Sequence, residues 1–197
     1  MVIDKLAKIT AIRIKEANPE ETEPLDVLIF GFTVIYNLII TWILIFLLGW
    51  LLGIFWLTIQ VALSFMFMRM LTGGAHLQQS FACSLVTVVL ICSVVFLPSS
   101  SMFIYAYFSL SLILLSIFAP FYERHQLVHS KQWEQKKKRF AMLWVIFSLF
   151  IYVLTDEVGF VLGVLLQAVM LTPPGIVFTH ALNSFSQKGG ELDEKNS

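Results

Sequence analysis

The sequence predicts an all-α fold: a polytopic integral membrane protein with six transmembrane helices and an N-terminal amphipathic interfacial helix. Three observations predict it. Only 13% of the 197 residues are charged and 58% are hydrophobic, whereas a soluble domain carries roughly 25% charged residues. The mean hydropathy is +0.82. The apolar residues gather in runs long enough to cross a bilayer core, separated by short polar connectors.

Each element follows in chain order, within a single membrane domain spanning 1–197. Residues 1–18 read as an amphipathic helix. Val2, Ile3, Leu6, Ile9 and Ile12 recur at helical spacing, while Lys5, Lys8, Arg13 and Lys15 supply a basic face. Such a segment lies on an anionic membrane surface or covers other parts of the protein. Asn18-Pro19 ends it, and Glu20, Glu21, Glu23 and Pro24 form an acidic connector. No cleavable signal peptide is expected, because the first apolar run begins only near Val27.

The first span is expected at 27–48, followed by an interfacial turn over Gly49–Gly53 in which Trp50 suits the headgroup layer. The second span, 54–71, ends beside Arg69. Gly73-Gly74 breaks the pattern before the third span at 81–97. Pro98–Ser101 turns into the fourth, at 102–121, rich in Tyr and Phe. The largest polar connector, Tyr122–Arg139, ends in the block Lys136-Lys137-Lys138-Arg139. A fifth span at 140–154 and a turn at Thr155–Gly159 lead into the sixth, at 159–178, whose last turn is broken by Pro173-Pro174. The segment 180–197 reads as a polar, loose tail.

Charge placement orients the chain. Net charge is zero, so bulk electrostatics identify no partner. With six spans, however, all 13 Lys and Arg residues fall on one side, and the positive-inside rule makes that side the cytoplasm. Both termini and the Gly73–Cys83 segment are then cytoplasmic. The two cysteines, Cys83 and Cys92, would sit about 13 Å apart along one helix, beyond the roughly 7 Å that a disulfide spans between Cα atoms. Free thiols are expected, with Cys92 buried and inert.

The chemistry-bearing residues cluster between the second and third spans. On a continuous helix His76 and Cys83 share a face with Ser80 and Thr87, with Gln79 at its edge, a polar stripe that should face the bundle interior or a wet cavity. A straight helix still holds His76 and Cys83 roughly 10 Å apart, too far for proton transfer. A working pair needs the chain to bend at Gly73-Gly74, which glycine's conformational freedom permits. An imidazole beside a thiol generates the nucleophilic thiolate, and Arg69 could stabilise that anion or an acidic substrate group. The bland alternative is an ordinary His and Cys at a membrane boundary.

The string Arg69-x3-Gly73-Gly74-x-His76-x6-Cys83, at the end of a second span in a six-span chain of this length, resembles the signature of the accessory gene regulator B (AgrB) family of membrane cysteine endopeptidases. The basic connector and Phe118-Ala119-Pro120 before it resemble the family's corresponding stretch. The resemblance implies Cys83 as nucleophile and His76 as general base, with Arg69, Gly73 and Gly74 shaping the site. It implies C-terminal cleavage of a small amphipathic precursor peptide through an acyl-enzyme thioester, then cyclisation to a thiolactone or lactone quorum-sensing signal. Thioester exchange is nearly thermoneutral, and a site buried at the membrane surface keeps water away. Gln79 and Ser80 are candidates for orienting the His or binding the oxyanion. Lys136, Lys137, Lys138 and Arg139 could attract the precursor's acidic tail, or simply anchor topology as inside charges.

Other features carry less. His125 and His129 have helical ligand spacing but lack the Glu of a zinc protease, so no metal and no cofactor is expected. Asn37, Gln60 and Gln167 should hydrogen-bond between helices, Gly159-x3-Gly163 permits close helix packing, and Asp156 and Glu157 should be solvated. The expected partners are the precursor peptide and the lipid bilayer, with no nucleic acid; a homodimer is compatible with the sequence. The competing reading is a non-enzymatic peptide exporter or assembly scaffold. The absence of carboxylates well inside a span counts against a proton-coupled pump.

Overall fold

A computed structural model describes residues 2–75, 77, 79–121 and 130–195, with backbone alone for Val2, Ser80 and 185–195. His76 and the segment 122–129, with Arg124, His125 and His129, lie outside the described residues. The fold is all-α: α1 (Val2–Ala17), α2 (Leu25–Leu51), α3 (Phe55–Thr72), α4 (Ser80–Val94), α5 (Ser101–Phe118), α6 (Lys131–Thr155), α7 (Gly159–Met170) and α8 (Pro173–Lys195).

The bundle is built around α7. Nine of its 12 residues are buried, and α3, α4, α5 and α6 all pack on it. It is hydrophobic on all sides, as a helix surrounded by other helices must be. Small residues bring α3 closest: a Cβ on Gly163 would stand 2.5 Å from the Val61 carbonyl oxygen, and one on Gly159 2.5 Å from Gln60 Cβ. The expected close packing through these glycines is therefore observed. Two apolar clusters meet at α7: Val61, Phe65, Val88, Ile91 and Leu162 on one side, and Met68, Leu115, Val145, Val164 and Ala168 on the other. Outward faces stay apolar, as lipid contact requires: Trp50, Trp56 and Phe30 are each more than two-thirds exposed.

Four helices, α2, α3, α5 and α6, are long and apolar enough to cross a membrane, and α7 with the start of α8 would be a fifth. That pair bends by 74° at Leu171–Thr172, so the apolar run 159–178 is no continuous rod. Pro173 and Pro174 open α8, where the missing amides cost nothing, and a Cβ on Gly175 would meet the Val169 carbonyl at 2.6 Å. Beyond the bend the chain stays helical to Lys195, where the sequence suggested a loose tail. Helices α4 and α7, at 15 and 12 residues, are about 22 and 18 Å long. Both are shorter than a hydrocarbon core of roughly 30 Å.

Other boundaries shift for local reasons. α2 continues through Leu51, so the turn expected at Gly49–Gly53 narrows to Leu52-Gly53, with Gly53 at φ 70°. α6 starts at Lys131, taking the basic block into its first turns. Asn18-Pro19 ends α1 as expected. The face of α1 that meets α2 is Ile3, Ala7 and Ala11, and Thr10 hydrogen-bonds Tyr36 at 2.8 Å. Leu6 and Ile9 form a second apolar stripe left exposed.

The in-span amides bond between helices as expected. Asn37 meets Ser84, Gln167 meets Thr72, and Gln60 Nε2 donates to Glu157 at 2.8 Å. Glu157 is therefore tied to α3, where simple solvation was expected.

Candidate functional site

The site is assembled where α3 ends, α4 begins and α7 stops. α3 terminates at Thr72 because Gly73 leaves helical space, at φ 74° and ψ −145°, followed by Gly74 at φ 135°. Both conformations favour glycine. At Gly74 there is also a steric reason: a Cβ would stand 3.2 Å from Arg69 Nη1 and 3.7 Å from Gln167 Nε2.

The bend is held from three directions. The Gly73 amide donates to the Arg69 carbonyl at 2.9 Å, closing α3. The Gly74 amide donates to the Phe121 carbonyl at 3.0 Å, and the Phe121 amide to the Thr72 carbonyl at 2.9 Å. This short parallel bridge ties the bend to the chain just after α5. From α7, Gln167 Nε2 donates to Thr72 Oγ1 at 2.9 Å and to the Gly73 carbonyl at 2.8 Å. Arg69 folds back over the loop, donating Nη2 to the Ala75 carbonyl, with its guanidinium 5.8 Å from the Phe65 ring centre. Arg69 is thus a strut of the loop, a bond that engages a group able otherwise to meet an anion.

α4 restarts at Ser80, with Gln79 extended at φ −88° and ψ 116° as its N-cap. The Cys83 amide donates to the Gln79 carbonyl at 3.0 Å, placing Cys83 at the end of the first helical turn. Its thiol is free and half-buried. Among the described residues no helix joins Thr72 to Ser80.

Of the polar stripe expected to face the interior, Cys83 and Thr87 are half-buried. Ser84 is the polar residue of α4 turned to the bundle interior, in line with buried Val88, Ile91 and Val95. Its Oγ lies 2.5 Å from Asn37 Oδ1 and accepts from Thr41 Oγ1 at 2.8 Å. Cys83 lies about 100° around α4 from Ser84, on the flank of the packed face. Cys92 is free and buried in the core.

Lys136, Lys137, Lys138 and Arg139 lie on α6, which packs on α3, α5 and α7 but not on α4. The structure thus does not bring the basic block against the helix of Cys83. Lys138 Nζ donates to the Ser116 carbonyl at 2.7 Å, capping α5. Lys138 and Arg139 also border an open groove of about 550 Å³ above Met142, Leu143 and Ile146. Among the described residues no three His, Cys, Asp or Glu side chains could hold a metal ion.

Sequence reasoning did not find the clamps on the bend. Gln167 was visible as a lone amide in an apolar run, but its target was not. Phe121 offers only backbone, for which side-chain identity gives no signal.

Fold and site together define a polytopic helical membrane protein with a clamped glycine loop leading to a free thiol in a first helical turn. The family model for accessory gene regulator B matches residues 6–171. A protein of Halalkalibacterium halodurans described as AgrB-like is 43% identical over 197 residues, covering 100% of both chains. The chain belongs to the AgrB family. No solved structure matches it.

Proposed function

We propose that this chain is a membrane-embedded cysteine endopeptidase that cleaves a small amphipathic precursor peptide and promotes its cyclisation. The observation that carries this reading is the break between Thr72 and Ser80, with glycines at positive φ and a free thiol at the head of α4. A His76–Cys83 pair needs such a break, because a continuous helix would hold the two groups apart.

In the proposed reaction, His76 takes the Cys83 proton and the thiolate attacks the scissile carbonyl. The first three amides of α4, ahead of Cys83, have no intrahelical acceptor and suit the resulting oxyanion, with the Gln79 and Ser80 positions beside them. Collapse expels the C-terminal fragment as an amine, protonated by His76, and leaves a thioester on Cys83. A Cys or Ser within the bound peptide, its proton taken by the now neutral His76, then attacks that thioester, closing a thiolactone or lactone ring and releasing the Cys83 thiolate. A recessed site limits hydrolysis of the thioester meanwhile.

The placement of Lys and Arg supports cytoplasmic termini and a site at the cytoplasmic face, in a six-span topology where α4 and α7 are the short members. The exposed apolar stripe of α1 beside its basic residues suits the membrane surface. Lys136, Lys137, Lys138 and Arg139 are proposed to attract the precursor's acidic tail, and a homodimer in the bilayer is compatible with the exposed faces.

The test is co-expression with the precursor peptide, followed by mass spectrometry. Cys83→Ala and His76→Ala are each expected to abolish cleavage while leaving insertion intact, and Cys92→Ala to be tolerated. Cleavage persisting in Cys83→Ala would rule out the nucleophile and leave the exporter or scaffold reading.

A further inference from the structure

We propose that Gln167 is a positioning residue: its carboxamide, presented from the central helix, sets the loop that carries His76 relative to Cys83. The inference rests on the peptidase reading and extends it to a residue 84 positions after the nucleophile, in the sequence numbering.

The polar groups of the bend have identifiable partners. Arg69 and the Gly73 amide tie the loop to its own helix, and Phe121 holds it through backbone. Among the described residues, Gln167 is the side chain from another helix that bonds the loop, and it does so twice, to Thr72 Oγ1 and the Gly73 carbonyl. It is fully buried, and its Oε1 has no hydrogen-bond partner. A leucine would fill similar space in α7 without desolvating an amide. What the amide supplies in exchange is a pair of directed bonds on adjacent residues, to the Thr72 hydroxyl and the Gly73 carbonyl.

The placement explains why α7 bears the residue. α7 contacts α3, α4, α5 and α6, so a donor there refers the loop to the same frame that holds α4. Fixing Gly73 against α7, and α4 against α7, sets the distance between the glycine bend and Cys83. Displacing a catalytic group by about 1 Å costs on the order of 100-fold in rate.

The experiment uses the full chain in proteoliposomes with the synthetic precursor peptide, comparing wild type, Gln167→Leu, Gln167→Glu and Cys83→Ala. A second readout, in a Cys92→Ala background without peptide, is the rate of Cys83 alkylation by iodoacetamide at neutral pH. Gln167→Leu is expected to lower kcat by about 100-fold, to leave KM little changed, and to slow alkylation. In Gln167→Glu a protonated carboxyl can donate one of the two lost bonds and an ionised one cannot, so its activity relative to wild type should rise as pH falls. Wild-type kcat and alkylation rate in Gln167→Leu, with Cys83→Ala inactive, would overturn the positioning role alone. Cleavage surviving in Cys83→Ala would overturn the peptidase reading, and this inference with it. If Gln167→Leu does not insert, Gln167→Glu decides: no relative gain at low pH refutes the proposal.

Discussion

Gln167 Nε2 lies 2.8 Å from the carbonyl oxygen of Gly73, a contact between residues 94 positions apart. It joins the most buried helix of the bundle to the one stretch where the chain leaves helical geometry ahead of Cys83. A glycine bend alone would be a hinge. Clamped by Gln167, Arg69 and the Phe121 backbone, it becomes a fixed support.

The fixed support should be sensitive to a single methyl group. Gly74→Ala places a side chain at φ 135° and 3.2 Å from Arg69 Nη1. Strain of this kind costs about 1–3 kcal/mol, and the loop can relieve it by shifting off its clamps. Both thermal stability and precursor turnover are expected to fall. Gly53→Ala is the control, at φ 70° with open space around it. It should cost about 1–2 kcal/mol and leave kcat near wild type, because it lies at the far end of α3 from the bend.

The α3–α7 contact gives a second outcome, read from stability. A Cβ on Gly163 would stand 2.5 Å from the Val61 carbonyl and 2.7 Å from Ser64 Cβ, the former a backbone atom that cannot rotate away. Gly163→Ala should therefore push the two helices apart and cost about 1–3 kcal/mol, the usual range for overpacking. Gly31→Ala, with nothing within 4 Å, should be neutral or slightly stabilising through helix propensity. Thermal unfolding in detergent separates the two.

Much of this architecture was legible in the sequence, and the misses have physical causes. Apolar runs and glycine pairs located α2 to α7 and the bend, because bilayer length and backbone freedom are local properties. The facing of α4 was not legible. Its polar spacing favoured the face of Cys83, whereas Asn37 and Thr41 on α2 select Ser84. The 74° turn after Met170 looked like a frayed last turn, because Pro173-Pro174 ends one helix and begins another equally well. The clamps by Gln167 and Phe121 are long-range contacts, which no local pattern encodes.

Asn37 and Ser84 offer a test of how α4 is seated. Ser84 is buried, with its Oγ 2.5 Å from Asn37 Oδ1. Removing one member leaves the other short of a partner, so Asn37→Leu and Ser84→Ala are each expected to destabilise. The double variant should lose less than the sum. Coupling of about 0.6 kcal/mol, and at most about 1.7, is the range for such pairs in membrane bundles. A double-mutant cycle by unfolding in detergent measures it, and strict additivity would show that the pair does not seat α4.

The basic block on α6 separates attraction from chemistry. Replacing Lys138 would also uncap α5 at the Ser116 carbonyl, so the variant to make is Lys136→Gln, Lys137→Gln and Arg139→Gln together. Exposed charge pairs contribute about 0.2–1 kcal/mol each, so the triple variant should raise KM for an acidic-tailed precursor roughly 3- to 150-fold. Added salt should raise the wild-type KM in the same direction, since such charges are screened beyond about 8 Å at physiological ionic strength. The kcat should hold, because α6 makes no contact with α4 and the block cannot reach the thiol through packing. Steady-state kinetics on precursors with acidic and neutral tails check this. A fall in kcat with unchanged KM would place these residues in the chemical step and remove the tail-binding role.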